Sequence, residues 1–334
     1  MKKKFFFLLF TLTLFLIPVS IFGWNDTGHR VIASIAYDRL SPSAKHEVDQ
    51  LTAKMFPYGN GYHRFLKAAT WPDDIRQADF ILFNSWHFIN YPYSDQAAPT
   101  SSASQTNIID VLQQSIQLLT TQAHNNPKNL YLKTLMLSLL IHMSADAHQP
   151  LHCINRFSSI PVGFQEAGKA RAKSSSGAYI KYVSSEISTQ QSQNLKGDGY
   201  IFPEGDKGGN LYTIQGEKAP DLHAFWDQGL GIFNHSHMNY RLYDQWVSHL
   251  ANFFSKKYPP AAFKDQLRDL NPEDWTRESY RLAIDVAYQT PFNQKPSPEY
   301  IKQSKKIVGQ QCALAGYRLA ALLNKIFSNA HLSN

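Results

Sequence analysis

A histidine and an aspartate four residues apart, His142 and Asp146, form the side-chain pair best suited to chemistry in this sequence. On a helix such neighbours lie on one face with Cβ atoms about 5–6 Å apart, close enough to bind one metal ion. His148 lies about 240° around the same helix from His142 and faces elsewhere. Pro150 ends the helix, because proline has no N–H and disfavours the α conformation before it. His152 then follows on an expected extended segment, where it could serve a different ion.

Four further segments place histidine or aspartate near aromatic residues or near a second ligand. These segments are residues 24–29, 71–76, 86–90 and 223–227. His223 and Asp227 repeat the four-residue spacing near the start of a predicted helix, and Arg76 follows Asp73 by one helical turn. Imidazole nitrogens and carboxylate oxygens suit zinc, and sites that keep open positions for water are catalytic rather than structural.

The first 23 residues have the composition of a secretory signal peptide. A basic start, Lys2 to Lys4, precedes an apolar run from Phe5 to Leu16, and Gly23 precedes a polar segment. The alternative is a membrane anchor, but the run is shorter than the roughly 20 residues that span a bilayer. We therefore predict cleavage after Gly23, a mature chain that begins at Trp24, and a secreted or periplasmic protein without stable membrane association.

Charge and cysteine content set only weak limits on function. The net charge is +7, and it falls to +4 once the three lysines of the leader are removed. This mild excess favours a polyanionic partner without establishing one. Cys153 and Cys312 could form a disulfide in an exported protein, but sequence does not decide whether they pair. The C-x-x-C spacing of a cysteine zinc site is absent.

Helical periodicity dominates the mature chain and predicts one all-α domain over residues 24–334. The predicted helices lie at 27–40, from 41 onward, and at 62–77, 107–123, 131–147, 241–257, 272–288 and 298–327, with another beginning near 223. The helix at 131–147 is apolar on most sides, which indicates that it is buried and that its histidine–aspartate pair lies in a core. A long irregular insertion, residues 157–207, is predicted to contain a short β-hairpin near 179–183.

Taken together, the motifs resemble the S1/P1 nuclease family, which has a mostly helical fold shared with zinc-dependent phospholipase C. Five separated motifs match in order between Trp24 and Asp227. The resemblance implies three Zn²⁺ ions. The first would be bound by Asp73, His87, His142 and Asp146. The second would be bound by the amine and carbonyl of Trp24, with His29 and the bridging Asp146. The third would be bound by His152, His223 and Asp227.

The same resemblance implies a monomeric enzyme that acts on single-stranded DNA and RNA and on 3′-nucleotides. It would release 5′-mononucleotides from nucleic acid and remove phosphate from 3′-nucleotides. We expect Asp73 and Asp146 to hold the ions for in-line attack by hydroxide at phosphorus. Arg76 would neutralise charge on the phosphoryl oxygens, and the third ion would face the 3′ oxyanion. The alternative for Arg76 is a surface salt bridge with a nearby acid.

Two residues after His87 are candidates for base recognition by the same resemblance. Phe88 matches the base-stacking position of the family, although ordinary core packing would also explain a phenylalanine there. Asn90 occupies a position where fungal members carry aspartate. An amide both donates and accepts hydrogen bonds whereas a carboxylate only accepts, so the base preference of the family does not transfer to this chain.

Three rival functions are weighed against the nuclease. Zinc-dependent phospholipase C ends its last ligand pair with glutamate, where this chain has Asp227, and its first histidine lies further from the tryptophan than His29 lies from Trp24. A secreted zinc-binding protein without turnover would have no need of a bridging Asp146 or of open coordination positions. The absence of His-Glu-x-x-His makes a metallopeptidase a poor match.

Overall fold

The computed structural model describes residues 24–78, 81–94, 106–121, 129–163, 199–202, 205–235 and 239–328, most of which are helical. The α-helices of this part of the chain are α1 (Asp26–Tyr37), α2 (Pro42–Met55), α3 (Gly61–Gln77), α4 (Ile108–Thr121), α5 (Leu130–Asp146), α6 (Leu222–Asp227), α7 (Tyr240–Lys257), α8 (Pro272–Leu282) and α9 (Pro298–Ile326). The predicted all-α class is confirmed, and helix boundaries fall close to those expected from periodicity.

Local sequence explains where several helices begin. The Ser41 hydroxyl accepts a hydrogen bond from the Ala44 N–H at 3.2 Å, and Pro42 occupies the first turn of α2, where its missing donor costs nothing. The Asn60 side chain accepts from the His63 N–H at 3.0 Å at the start of α3. These caps set the starting points of α2 and of α3, and α3 later contributes Asp73 to the site.

The core forms where α1 packs against α3, α7 and α9. Ile32 and Ile35 of α1 are fully buried. A Cβ at Gly316 of α9 would lie only 2.5 Å from Ile35 Cγ2, so the close crossing of α1 and α9 requires glycine at this position. Helix α5 is buried over its whole second half, residues 137–146, as its apolar sequence predicts. Among the described helices, none combines the length and the apolar character that crossing a lipid bilayer demands.

A small three-stranded sheet lies beside the helices. Strand β1 (Pro92–Ser94) pairs in parallel with β2 (Asn155–Gly163), and β2 pairs antiparallel with β3 (Gly199–Phe202). In register, Pro92 is opposite Asn155. The hairpin predicted near 179–183 lies outside the described residues, as do the predicted signal peptide and most of the 157–207 insertion. Strand β2 runs into the start of that insertion, and β3 lies near its end.

The segment after α5 corrects one expectation. His152 lies in a 3₁₀ helix, Pro150–Cys153, and not on an extended segment. The turn closes because the Gln149 side-chain oxygen accepts the Leu151 N–H at 2.6 Å and the Gln149 carbonyl accepts the His152 N–H at 3.0 Å. Proline at the first turn therefore starts a new tight helix here.

The two cysteines do not form the disulfide that export would permit. Cys153 and Cys312 are free and buried. The Cys153 thiol lies 3.7 Å from the Ala147 carbonyl oxygen. Burial raises the pKa of both thiols, which disfavours the thiolate form that binds metal ions.

Candidate metal centre

Three sets of buried histidine and aspartate side chains lie together, and within each set the ligand atoms are within 4.8 Å of one another. The sets are His29, His142 and Asp146; Asp73, His87 and His142; and His152, His223 and Asp227. The first two sets share His142, and together they are called the five-residue cluster. The last set is called the three-residue cluster. All eight side chains predicted as zinc ligands are in these clusters, although their ligand roles remain predictions.

In the five-residue cluster, the two oxygens of Asp146 face different histidines. Oδ1 lies 3.3 Å from His29 Nε2, and Oδ2 lies 3.0 Å from His87 Nδ1 and 3.1 Å from His142 Nε2. Asp73 spans the same two sides more loosely, with Oδ1 3.6 Å from His87 Nδ1 and Oδ2 3.9 Å from His29 Nε2. This arrangement gives the Asp146 carboxylate the shape needed to bridge two ions.

Helix α5 places His142 and Asp146 on one face, as their four-residue spacing predicts. His29 comes from α1, Asp73 from the last turn of α3, and His87 from the 3₁₀ helix Ile81–His87. The imidazoles of His29 and His142 stack with ring centroids 3.9 Å apart. Elements far apart in sequence therefore meet at one point beside α5.

Backbone carbonyls fix the orientation of three histidines. His142 Nδ1 lies 2.6 Å from the Ala69 oxygen, His152 Nδ1 lies 2.7 Å from the His87 oxygen, and His223 Nδ1 lies 2.7 Å from the Gly208 oxygen. Because a carbonyl only accepts, each Nδ1 donates its proton, and each Nε2 is left with a lone pair. A metal-binding histidine is usually supported in this way, with one ring nitrogen bound to the metal and the N–H of the other donated to a hydrogen-bond acceptor.

Gly208 is the first residue of the Gly-Gly-Asn segment at 208–210, and its backbone conformation explains why glycine occupies this position. Its φ is +65°, and a Cβ there would lie 2.3 Å from the Leu151 oxygen. Glycine is therefore required to bring the Gly208 carbonyl to His223. Helix α6 holds His223 and Asp227 and starts at Asp221, whose carboxylate accepts the Ala224 N–H at 2.8 Å.

The donor atoms of the five-residue cluster fit a bound cation. His29 Nε2 and Asp146 Oδ1 are fully shielded from solvent, and neither forms a hydrogen bond to any of the described residues. Buried polar atoms without such partners are costly and rare. A divalent cation that favours nitrogen and oxygen ligands would satisfy both atoms at once.

The pKa shifts of residues in the two clusters also favour the binding of a cation. Burial lowers the pKa of His87 to about 4, so its imidazole is neutral and able to bind a metal. Burial also raises the pKa of Asp227 well above the ordinary value, an effect that the hydrogen bond from Gln149 only partly offsets. A cation between His152, His223 and Asp227 would favour the ionised carboxylate.

The segment that begins at Trp24 lies against both clusters. Trp24 is fully buried, and its indole Nε1 donates to the Ala145 carbonyl at 3.1 Å, one residue before Asp146. The Asn25 N–H donates to the Asp227 carbonyl at 2.9 Å. The backbone of residues 24 and 25 is thus held near one ligand of each cluster. The predicted role of the Trp24 amine as a ligand is compatible with this position.

The remaining predicted site residues border the clusters. Arg76 Nη2 lies 2.9 Å from Asp73 Oδ1, and both side chains are largely buried, so this is not the surface salt bridge that was weighed as the alternative to a catalytic role. Phe88 and Asn90 are half-buried on either side of Ile89, whose N–H donates to the His152 carbonyl at 2.8 Å. Their roles in base recognition stay predictions.

One site residue was missed by the sequence analysis. Gln149 is fully buried, and its Nε2 donates to Asp227 Oδ1 at 2.6 Å. The available signal was a polar amide between two helices that both contribute ligands. By contrast, His148 lies outside all three sets, with Nδ1 2.7 Å from the Ser144 oxygen and Nε2 3.1 Å from Arg318 Nη1.

The part of the chain that the structure describes combines a mostly helical fold with three adjoining histidine–aspartate sets that could hold metal ions. Comparison with known proteins identifies the family. The sequence model described as S1/P1 Nuclease matches residues 24–328, so the chain belongs to the S1/P1 nuclease family, whose members depend on metal ions. The resemblance drawn from the motifs is confirmed.

Two plant relatives illustrate the match. Endonuclease 1 of Arabidopsis thaliana is 23% identical over 330 residues, which cover 93% of this chain and 90% of that protein. Endonuclease 2 of the same plant is 22% identical over 325 residues, which cover 92% of each chain. The shared features therefore extend over nearly the whole sequence and support nuclease function.

Proposed function

We propose that this protein is an exported, zinc-dependent nuclease that cleaves single-stranded DNA and RNA to 5′-mononucleotides. It also removes phosphate from 3′-nucleotides. The observation that carries the proposal is the carboxylate of Asp146, whose two oxygens face His29 on one side and His87 and His142 on the other. A bridging carboxylate beside a separate three-residue cluster suits the hydrolysis of a phosphodiester.

We infer zinc from the chemistry of the donor atoms. Imidazole nitrogens with a few carboxylate oxygens, and no thiolate, match the ligands of catalytic zinc sites. The five-residue cluster would hold two ions, with the backbone of Trp24 as an additional ligand, and the three-residue cluster would hold one. When bound, zinc supplies Lewis-acid charge and lowers the pKa of a coordinated water toward neutrality.

The chain itself positions the substrate. The Arg76 guanidinium, already beside Asp73, offers N–H donors to phosphoryl oxygens. The half-buried Phe88 gives a single-stranded base a surface for stacking, which a base held inside a duplex cannot reach. The Asn90 amide can both donate to and accept from a base edge. Each of these three residues lies within three positions in sequence of a predicted ligand in the five-residue cluster.

The proposed enzyme is exported, and it acts as a monomer. The basic and apolar leader over residues 1–23 supports secretion or delivery to the periplasm, with cleavage after Gly23. Cleavage there would free the α-amine of Trp24, a residue that the structure already holds against Ala145. The mature enzyme would thus gain its terminal ligand only after export.

A substrate panel on the mature chain tests the proposal. The panel contains single-stranded DNA, duplex DNA, RNA, 3′-AMP, 5′-AMP and phosphatidylcholine vesicles. We expect hydrolysis of the single strands and of 3′-AMP, slow cleavage of the duplex, and loss of all activity with a chelator. The panel is also run on Asp146→Asn, which should lose activity. Its matched control is Asp265→Asn, the same replacement at an exposed carboxylate, which should retain activity.

Two outcomes would redirect the assignment. Hydrolysis of phosphatidylcholine without cleavage of nucleic acid would favour a phospholipase C of the same fold. Tight zinc binding without turnover on any substrate would favour a zinc-binding protein that is not an enzyme.

A further inference from the structure

We propose that Gln149 is a positioning residue for the three-residue cluster. Its amide would fix the Asp227 carboxylate in the orientation that binds the ion of this cluster. The inference rests on the proposed metal binding by His152, His223 and Asp227, and it assigns a role to a residue that neither ligates nor touches substrate.

The orientation of the Gln149 amide is determined by its two partners. Its Oε1 accepts the backbone N–H of Leu151 at 2.6 Å, and only the oxygen of an amide can accept from that donor. The Nε2 group is therefore the atom that lies 2.6 Å from Asp227 Oδ1, and it donates to the carboxylate. Since the Gln149 side chain is fully buried, water does not compete for either bond.

The same amide connects two elements that supply ligands. Leu151 belongs to the 3₁₀ helix of His152, whereas Asp227 ends α6. Asp227 Oδ1 lies 3.9 Å from His152 Nε2, and Oδ2 lies 3.4 Å from His223 Nε2. Gln149 thus sets the distance between the turn and the helix, and its bond to Oδ1 leaves Oδ2 facing His223.

A neutral donor suits this position. Arg76 orients Asp73 in the five-residue cluster with a full positive charge, but that cluster also contains a second carboxylate. In the three-residue cluster Asp227 is the only carboxylate, so a cationic partner there would cancel the charge that attracts a metal ion. An amide orients the carboxylate and leaves its charge available to the ion.

The test replaces Gln149 with methionine, which has a similar length and lacks both hydrogen bonds. Zinc content is measured by mass spectrometry after equilibration with graded concentrations of a chelator. We expect Gln149→Met to lose one ion per chain at a chelator concentration about 10 to 100 times lower than wild type does, as is common for supporting residues. The other ions should be retained at the wild-type concentration.

Gln311→Met is the matched control. Gln311 is also buried, and its Nε2 donates to the His148 carbonyl at 3.3 Å, away from both clusters. This variant should lower the thermal unfolding temperature of metal-free protein without changing zinc retention. If Gln149→Met does not fold, Gln149→Asn, whose amide is one methylene too short to reach Asp227, is measured in the same way.

The results separate the proposal from the function on which it rests. Wild-type zinc retention in a folded Gln149 variant overturns the positioning role alone. Loss of all ions together in that variant also overturns it, because it indicates general destabilisation. A wild-type chain that binds no ion at the three-residue cluster overturns both the positioning role and the proposed metal site.

Discussion

The five-residue and three-residue clusters bury their carboxylates beside different partners. Burial alone would raise the pKa of the Asp146 carboxyl, but its interactions with the imidazoles of His142, His152 and His29 outweigh this effect and hold the pKa well below its usual range. In the three-residue cluster, burial prevails and raises the pKa of Asp227 well above its usual value. The side chains of the five-residue cluster favour the ionised Asp146, whereas ionisation of Asp227 in the three-residue cluster depends on a cation.

The two clusters also differ in the secondary-structure elements that carry their ligands. The five-residue cluster is built mainly on the long helices α1, α3 and α5, which pack together in the core. The three-residue cluster is built on a four-residue 3₁₀ helix and on α6, which has six residues. We therefore expect the ions of the five-residue cluster to be held more firmly.

The largest effect is expected from breaking the bridge between ions. Asp146→Asn should lower kcat/KM on single-stranded DNA by on the order of 10³-fold or more and reduce zinc content by more than one ion. Asp227→Asn should remove one ion and leave the other cluster loaded. Zinc content measured beside nuclease rates distinguishes the two variants. Loss of all zinc from both variants would show that the clusters are not independent.

A smaller effect is expected at the terminal ligand. An additional alanine before Trp24 converts the α-amine into an amide, which is a poor metal ligand. We expect the activity to fall by about 10- to 100-fold, a loss comparable to that from impairing the support of a metal. The change should affect the five-residue cluster and spare the ion at Asp227. Full activity of the extended protein, verified by its intact mass, would remove Trp24 from the ligand set.

Acidification should release ions in a defined order. The raised pKa of Asp227 means that protons compete with a cation there at a higher pH than at Asp146, whose pKa is lowered. One ion per chain should therefore dissociate first as the pH falls, and the remaining ions should follow at lower pH. Zinc retained after dialysis over a pH series measures this order. Simultaneous release of all ions would contradict the contrast between the clusters.

The smallest effect concerns the histidine outside the clusters. Burial and the neighbouring Arg318 lower the pKa of His148 to about 3, so it stays neutral in the folded protein. The unfolded chain binds a proton below about pH 6.5, so stability is lost as the pH falls from there toward 3, by a few kcal/mol. His148→Gln should flatten this dependence in metal-free protein, as measured by denaturant unfolding. An unchanged slope would show that His148 does not contribute.

Much of the fold could be predicted from the sequence because it follows from short-range spacing, and so could the two ligand pairs that each lie on one helix. The apolar periodicity of residues 131–147 predicted a buried helix, and the spacing of His142 and Asp146 placed them on one face of it. The separate motifs could be assigned to shared ions only through the family resemblance, since spacing does not show which distant segments meet.

What could not be predicted depends on tertiary contacts. The proline at 150 indicated the end of α5, but the 3₁₀ turn that holds His152 is closed by the Gln149 side chain. The small sheet pairs strands β1 and β2, which have α4, α5 and a 3₁₀ helix between them in sequence, so local patterns did not reveal it. Likewise, the contact between Arg76 and Asp73 could be offered only as an alternative until the geometry was known.

The zinc content of the mature chain tests the central claim most directly. Protein that begins at Trp24 is purified, loaded with zinc, freed of excess metal, and measured by mass spectrometry beside its rate on single-stranded DNA. The two clusters predict three zinc ions per chain, and a nuclease rate that disappears when a chelator removes them and returns when zinc is restored. A chain that carries one ion or none, and still cleaves single-stranded DNA in the presence of chelator, would contradict the account.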